Sequence, residues 1–329
     1  TMGALASAFF AFGAMIFYAI TGTVELGKIS EILVNSHFDN YPIILVGVAM
    51  MIGALGFKMS LVPFHSWVPD VYQGSTSALA GFIAVVPKMA GFVVVLRFFE
   101  IFIQANDPYV HAVLYGIVVL TMTLGNLMAL SQTDIKRMLG FSSISHAGFV
   151  MAAILIGSTQ ATTGLFLYWA LFAVANIGAF AMLWLYRTKQ DSIFSSDHNT
   201  LEKYAGLVKR SPMMATLMAL FMLSLAGIPP FSLFWGKFYL LGSAINEGYI
   251  YLALIMALNS AIAVYYYVKP VVYMFFKEPA DHCNIEFLTN STTALRVVIG
   301  FFAIVTIASI GMVEPLIEYI SYYVQISGY

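Results

Sequence analysis

Charge is what this chain has least of. Only 9% of its 329 residues are Asp, Glu, Lys or Arg, while 60% are hydrophobic; an ordinary soluble domain carries about 25% charge. The mean hydropathy is +0.87. Such a composition excludes a soluble globular protein and indicates a polytopic membrane protein. The net charge of -1 gives no reason to expect nucleic acid as a partner. One cysteine, Cys283, excludes an internal disulfide, and with only His282 beside it there is no zinc or iron–sulfur spacing, so no metal site is expected. No glycine-rich phosphate loop follows a strand pattern, so no nucleotide site is expected either. The opening run TMGALASAFFAFGAMIFYAI has neither a basic n-region nor a cleavage site, so it does not read as a signal peptide. It reads as the interior of a longer protein.

Long apolar runs are what the chain has in abundance. A membrane span needs about 20 apolar residues, and nine stretches qualify: roughly 1–21, 42–64, 76–97, 109–129, 138–157, 161–186, 213–245, 250–276 and 295–320. The expected fold is all-α. The run 213–245 is too long for one straight span, and GIPP at 227–230 predicts a helix that stops at Pro229 and Pro230 and restarts. PFHSWVPD predicts a second interruption framed by Pro63 and Pro69. Interrupted helices are tolerated at membrane depth only where they line a cavity or pack against protein. VPFHSW and PPFSLFW share Pro-Phe followed by Trp, a short internal echo of the kind found in transporter repeats.

Basic residues set the expected orientation. Alternating the spans puts Lys136, Arg137, Arg187, Lys189, Lys203, Lys209, Arg210, Lys277 and Arg296 on one side and only Lys28 and Arg97 on the other. The first side is expected to be cytoplasmic, with the C-terminus outside. The polar stretch 187–211 reads as a solvated linker on that side, with a docking surface as the alternative.

Three lysines sit inside apolar runs. Lys58 lies about 22 Å into its span, and Lys88 about 18 Å into its own; about 13 Å of helix remains after Lys237. An ammonium near the bilayer centre costs at least about 2.5–3.5 kcal/mol, so such residues usually face a wet cavity and serve ion movement. Each has a plainer alternative: snorkelling for Lys58, pairing with backbone carbonyls for Lys88, anchoring of the second half-helix for Lys237. His146, in FSSISHAGFV beside Ser142, Ser143 and Ser145, is a candidate proton relay, because an imidazole can take a proton on one nitrogen and release it from the other. A satisfied core histidine is the alternative. His65 reads as a helix cap or a proton entry point, and Asp70 as its partner or that of a helix end. Lys269 is placed where snorkelling explains it, and the tyrosines at 265–267 read as interfacial packing. No Asp or Glu interrupts the spans between residues 42 and 276, whereas sodium or calcium sites usually want several oxygen ligands. Removing an ammonium from water penalises its charged form, and a neighbouring charge that approaches or withdraws would switch it. A row of coupled lysines therefore suits protons.

GFKMSLVPFHSWVPDVYQG, GNLMALSQTDIKRMLGFSSISHAGF and LSLAGIPPFSLFWGKFYLL together resemble the antiporter-like membrane subunits of respiratory complex I, the proton-translocating NADH–quinone oxidoreductase. The likeness is greatest to the N type, the counterpart of mitochondrial subunit 2, and it spans essentially the whole chain. It implies inverted five-helix repeats, each with a broken helix. Residues 1–106 would be the remainder of the first repeat, 107–277 the second, and 278–329 a C-terminal loop and last span, all in one membrane domain. It implies a proton path through Lys58, Lys88 and Lys237, and a glutamate partner for Lys58 on a helix preceding Thr1. It places the protein in a bacterial inner membrane beside other complex I membrane subunits. No cofactor is expected in this chain; flavin, iron–sulfur clusters and quinone would belong to partner subunits. Subunits of cation/proton antiporters and of membrane-bound hydrogenases share the fold and stand as alternatives, as does a non-conducting scaffold subunit of the membrane arm.

Overall fold

With no water in the hydrocarbon, a spanning backbone must satisfy its own hydrogen bonds, and this sequence does so with helices. The computed structural model describes residues 1–36, 41–105, 107–185, 199–278 and 292–328. In chain order the helices are α1 Met2–Thr21, α2 Leu26–Asn35, α3 Tyr41–Met59, α4 Trp67–Gly74, α5 Ser77–Gln104, α6 Pro108–Leu130, α7 Ile135–Ile156, α8 Thr159–Leu185, α9 Leu207–Arg210, α10 Pro212–Ala226, α11 Ser232–Asn246, α12 Ile250–Phe276, α13 Thr293–Gly311 and α14 Val313–Ile326. Eight of them are long and apolar enough to cross a membrane: α1, α3, α5, α6, α7, α8, α12 and α13.

Polar residues cluster where helices begin. Asp107 caps α6 through the Tyr109 and Val110 amides, with Pro108 at the first helical position. Asp134 caps α7 at Arg137, and Thr76 caps α5 at Leu79. Each satisfies amides that have no partner within the helix. Helix α7 lies at the centre of the bundle, buried along its whole length. Its glycines allow this: a methyl group at Gly148 would stand 2.8 Å from the Met122 backbone nitrogen, and one at Gly125 of α6 2.7 Å from that of Ser145. Backbones this close gain dispersion contacts that hold helices together where lipid is as apolar as the side chains.

Both expected interruptions are present. Between α3 and α4 the chain turns through a cis Val62–Pro63 bond, and between α10 and α11 through a cis Pro229–Pro230 bond. The first turn is pinned by the Val62 amide, which donates to Thr121 Oγ1 at 3.1 Å, and by the Trp67 indole, which donates to the Phe57 carbonyl at 3.0 Å. The second is closed by Gly227 in the left-handed region and by the Ser224 and Ser232 hydroxyls, 3.2 Å apart.

Four expectations need correction. Pro69 does not frame a break: it sits in the first turn of α4, where its missing N–H has no helical partner to lose. The last apolar stretch is not one span, because the helix stops at Gly311 and restarts at Val313. Asp70 does not pair with His65; it sits in the first turn of α4 and binds Arg137 Nη1, in the first turn of α7, at 2.6 Å. The polar stretch after α8 is not a plain linker where it is described. Leu201, Tyr204 and Leu207 are buried, the Leu201 amide donates to the Thr133 carbonyl, and the Gly206 amide donates to that of Tyr273. Residues 187–198, like His282 and Cys283, lie outside the described residues.

Contacts sort the helix ends into two sets. Lys136 Nζ donates to the Ser75 carbonyl, Arg137 binds Asp70, Lys269 reaches the Gln132 carbonyl, and Lys209 binds Glu278. At the opposite end Tyr41 donates to Asp107, His111 meets Tyr249, and Arg97 reaches the Ser327 carbonyl beyond α14. Lys209 holds the exposed Glu278 carboxyl below the usual carboxylate range.

Candidate functional site

Side chains on an α-helix lean toward its N-terminus, and this tilt decides where two of the three lysines point. Lys237 follows its break, so it leans back over it, and Nζ donates to the Ala226 carbonyl at 2.8 Å. That carbonyl belongs to the last turn of α10, whose acceptors have no partner further along the helix. The break thus supplies the ammonium's acceptor. Nζ also stands 5.6 Å from the centre of the Phe149 ring, a cation–π contact, and the side chain is 4% exposed.

Lys58 precedes its break, so the same tilt aims it away, along α3. It is exposed and lines a 440 Å³ groove with Ser7 and Phe10 of α1, Leu55 of α3, and Pro87 and Gly91 of α5. Lys58 thus faces an open groove rather than the interior of the bundle. Its stem nevertheless reaches α5: a methyl group at Gly91 would meet Lys58 Cγ at 3.9 Å and collide with Met59.

Lys88 lies one turn before Gly91 on α5, and is 1% exposed. Nζ donates to the Ser143 hydroxyl at 3.1 Å and to its carbonyl at 3.3 Å. Ser143 Oγ stands 3.4 Å from Tyr72 Oη. His146, 2% exposed, is three residues beyond Ser143 on α7. Its Nε2 is 2.9 Å from Tyr267 Oη, and its Nδ1 makes a short contact to Tyr168 Oη. A neutral imidazole has one donor and one acceptor nitrogen, so one tyrosine donates to the ring and the other accepts. Phe149, a further three residues on, carries the contact to Lys237.

Residues 143, 146 and 149 form one stripe of α7, about 9 Å long. Lys88 is bound at one end, His146 lies in the middle and Lys237 at the other end. The Lys58 stem passes Gly91, one turn of α5 from Lys88. Tyr168 and Tyr267 were not legible as parts of the row. Tyr265 is 66% exposed while Tyr266 and Tyr267 are buried, so only the first member of the run faces outward. Tyr266 donates to Asn126, and Asn126 donates to Asn259, a buried ladder that fixes α12 and with it Tyr267. Lys136, counted among the loop charges, is buried too. His65 is half-buried, its Nδ1 without a partner, and does not join the row; neither does Lys269.

Two more buried groups near the row lack partners: both amide atoms of Asn176 and the indole nitrogen of Trp169, on α8. An amide taken from water without a hydrogen bond costs roughly 2–7 kcal/mol. Among the described residues no group of three or more His, Cys, Asp or Glu could hold a metal ion.

Two interrupted helices beside two buried lysines and a buried histidine, in a bundle of apolar spans, define the class: a polytopic membrane protein with the discontinuous helices of transporter-like folds. The chain belongs to the NADH:quinone oxidoreductase/Mrp antiporter transmembrane family, whose model matches residues 1–263. It is 54% identical over 330 aligned residues to the NADH-quinone oxidoreductase subunit N of Sulfurimonas denitrificans, covering 100% of this chain and 66% of that protein. Among solved structures it is similar to a chain of respiratory complex I from Thermus thermophilus, at a TM-score of 0.79 and 31% identity, over 96% of this chain and 66% of that one. A chain of the Mrp complex from Dietzia shares the fold, at a TM-score of 0.82 and 20% identity, over 98% of this chain and 66% of that one. The chain thus spans just under two thirds of the length of these proteins.

Proposed function

We propose that the protein is the N-type, proton-translocating membrane subunit of a bacterial NADH–quinone oxidoreductase, and that Lys58, Lys88, His146 and Lys237 carry the protons. The observation that carries this reading is the α7 stripe, which joins two buried lysines through a histidine with no acidic side chain between them. Sequence likeness to subunit N supports the redox complex over a stand-alone antiporter.

The row works by contact and by charge. The Ser143 hydroxyl can accept from Lys88 and donate onward, and His146 can accept at one ring nitrogen and release at the other. Two ammoniums separated by roughly the length of the stripe, about 10 Å, at an effective permittivity of about 20 would repel by about 1.7 kcal/mol. A proton arriving on Lys88 therefore favours proton loss from Lys237, and the reverse. The groove at Lys58 admits a charged partner from a neighbouring segment, which would set the state of the first lysine. Residues 1–106 and 107–277 would act as two repeats on either side of this row, followed by the last span. The end carrying Lys136, Arg137 and Lys209 would face the cytoplasm and Ser327 the outside. Flavin, iron–sulfur clusters and quinone would be held by partner subunits, so this chain contributes no redox step.

The test is Lys88→Met and Lys237→Met in the assembled complex, with assembly checked on native gels. Proton pumping should fall at least tenfold while electron transfer to an artificial acceptor at the NADH end persists. Full pumping in assembled variants would overturn the assignment. Sodium-driven proton exchange without quinone reduction would point instead to an antiporter.

A further inference from the structure

The hydrogen bond between His146 Nε2 and Tyr267 Oη, 2.9 Å long, crosses the gap between α7 and α12. It keeps that length only if both helices are held. Two adjacent residues of α6 hold them. Gly125 sets the position of α7: a methyl group added there would stand 2.7 Å from the Ser145 backbone nitrogen, one residue before His146. Asn126, 0% exposed, sets that of α12. Its amide nitrogen donates to the Asn259 backbone carbonyl at 3.0 Å and to the Asn259 side-chain oxygen at 2.9 Å. Its oxygen accepts from the Tyr266 hydroxyl at 2.8 Å, one residue before Tyr267.

The orientation of this amide follows from its partners. A backbone carbonyl only accepts, so the nitrogen of Asn126 must face Asn259 and its oxygen must face Tyr266. Tyr266 is thereby a donor. Asn259 in turn donates to Thr123 Oγ1 at 3.2 Å and to the Ile255 carbonyl at 2.9 Å. Both amides thus have acceptors for their hydrogens, and a buried network satisfied in this way is rigid. Adjacent residues on a helix point about 100° apart, so Tyr266 can face α6 while Tyr267 faces α7. The lock reaches Tyr267 by side-chain contact as well as through the backbone, because the two tyrosine rings lie 4.7 Å apart.

We propose that Asn126 is a positioning residue for proton transfer at His146. Through Tyr266 and Asn259 it holds the Tyr267 hydroxyl at hydrogen-bonding distance from Nε2, against an α7 fixed by the neighbouring Gly125. Its service in proton transfer rests on the proposed function; the lock itself does not.

The test is a set of substitutions in the assembled complex, checked on native gels and read as pumping rates in light and in heavy water. Tyr266→Phe removes one hydroxyl and keeps the ring, and Asn126→Leu removes the whole amide at similar size. Each should lower pumping about threefold or more, and lower it no further once Tyr267 is replaced by Phe, since residues acting through one contact are not additive. The ratio of the rates in light and heavy water should rise in both variants, because a lengthened bond slows the proton step itself. A merely structural defect lowers the active fraction and leaves that ratio unchanged. Where Asn126→Leu does not assemble, Tyr266→Phe carries the test. A severalfold loss in His146→Phe beside native pumping in Tyr266→Phe overturns the positioning role alone. So does a loss of equal size in the native and Tyr267→Phe backgrounds with an unchanged ratio. Native pumping in His146→Phe overturns the proposed path, and this role with it.

Discussion

Lys88 and Lys237 differ from ordinary snorkelling lysines in what their ammoniums touch: a serine and a carbonyl freed by a helix break, both deep in the bundle. His146 is set between them by two tyrosines. His146→Phe keeps an aromatic ring and removes both nitrogens, taking the ring partner from Tyr168 and from Tyr267; pumping should fall severalfold or more in assembled enzyme. His146→Gln keeps a donor and an acceptor and should retain more of it. Equal activity in the two variants would return His146 to the role of a core histidine. The lysines and the histidine could be read from the sequence because charge in an apolar run is costly and therefore conspicuous. The tyrosines could not. A buried Tyr and an interfacial Tyr are the same letter, and only the rotation of α12, which exposes Tyr265 and buries Tyr267, tells them apart. Asn176 was invisible for the same reason, since an amide in a long span stands out less than a charge.

At the scale of elements, the two breaks were legible in Pro63 and in GIPP, because proline removes a donor and clashes with the preceding turn. Pro69 misled because the same residue is tolerated in a first turn. The stop at Gly311 carried no proline to announce it. Which way each lysine leans followed from its side of the break, a consequence of helix geometry that becomes visible only once the break is located to the residue. Gly227 shows how tightly the second break is built. Its φ is 74°, and an added methyl group would stand 2.9 Å from Lys237 Cδ. Gly227→Val adds left-handed strain of about 1–3 kcal/mol and pushes Lys237 off the Ala226 carbonyl. Reduced thermal stability together with reduced pumping is expected. An unchanged melting temperature would contradict the geometry of this turn.

For the molecule as a whole, the spans and the all-α class were legible in nine apolar runs, although the short helix α2 and the packing of residues 199–210 were not. Both are amphipathic pieces too short to read from hydropathy. Of the basic residues grouped by alternating spans, Lys136, Arg137 and Lys209 make their contacts at one set of helix ends and Arg97 at the other. The orientation itself is testable. In a chain whose Cys283 is replaced by Ser, a cysteine introduced at Ser327 should react with an impermeant maleimide added outside intact cells, and one at Lys209 should not. The opposite pattern would invert the assignment of sides.

The central claim is that protons pass along the α7 stripe between two buried lysines. It is met most directly by the proton-to-electron ratio of the complex in sealed proteoliposomes, measured for the native enzyme and for an assembled variant carrying both Lys88→Met and Lys237→Met. The ratio should fall at least tenfold in the variant, as pumping does in the single substitutions, while NADH oxidation by an artificial acceptor persists. An unchanged ratio in the assembled double variant would contradict the account.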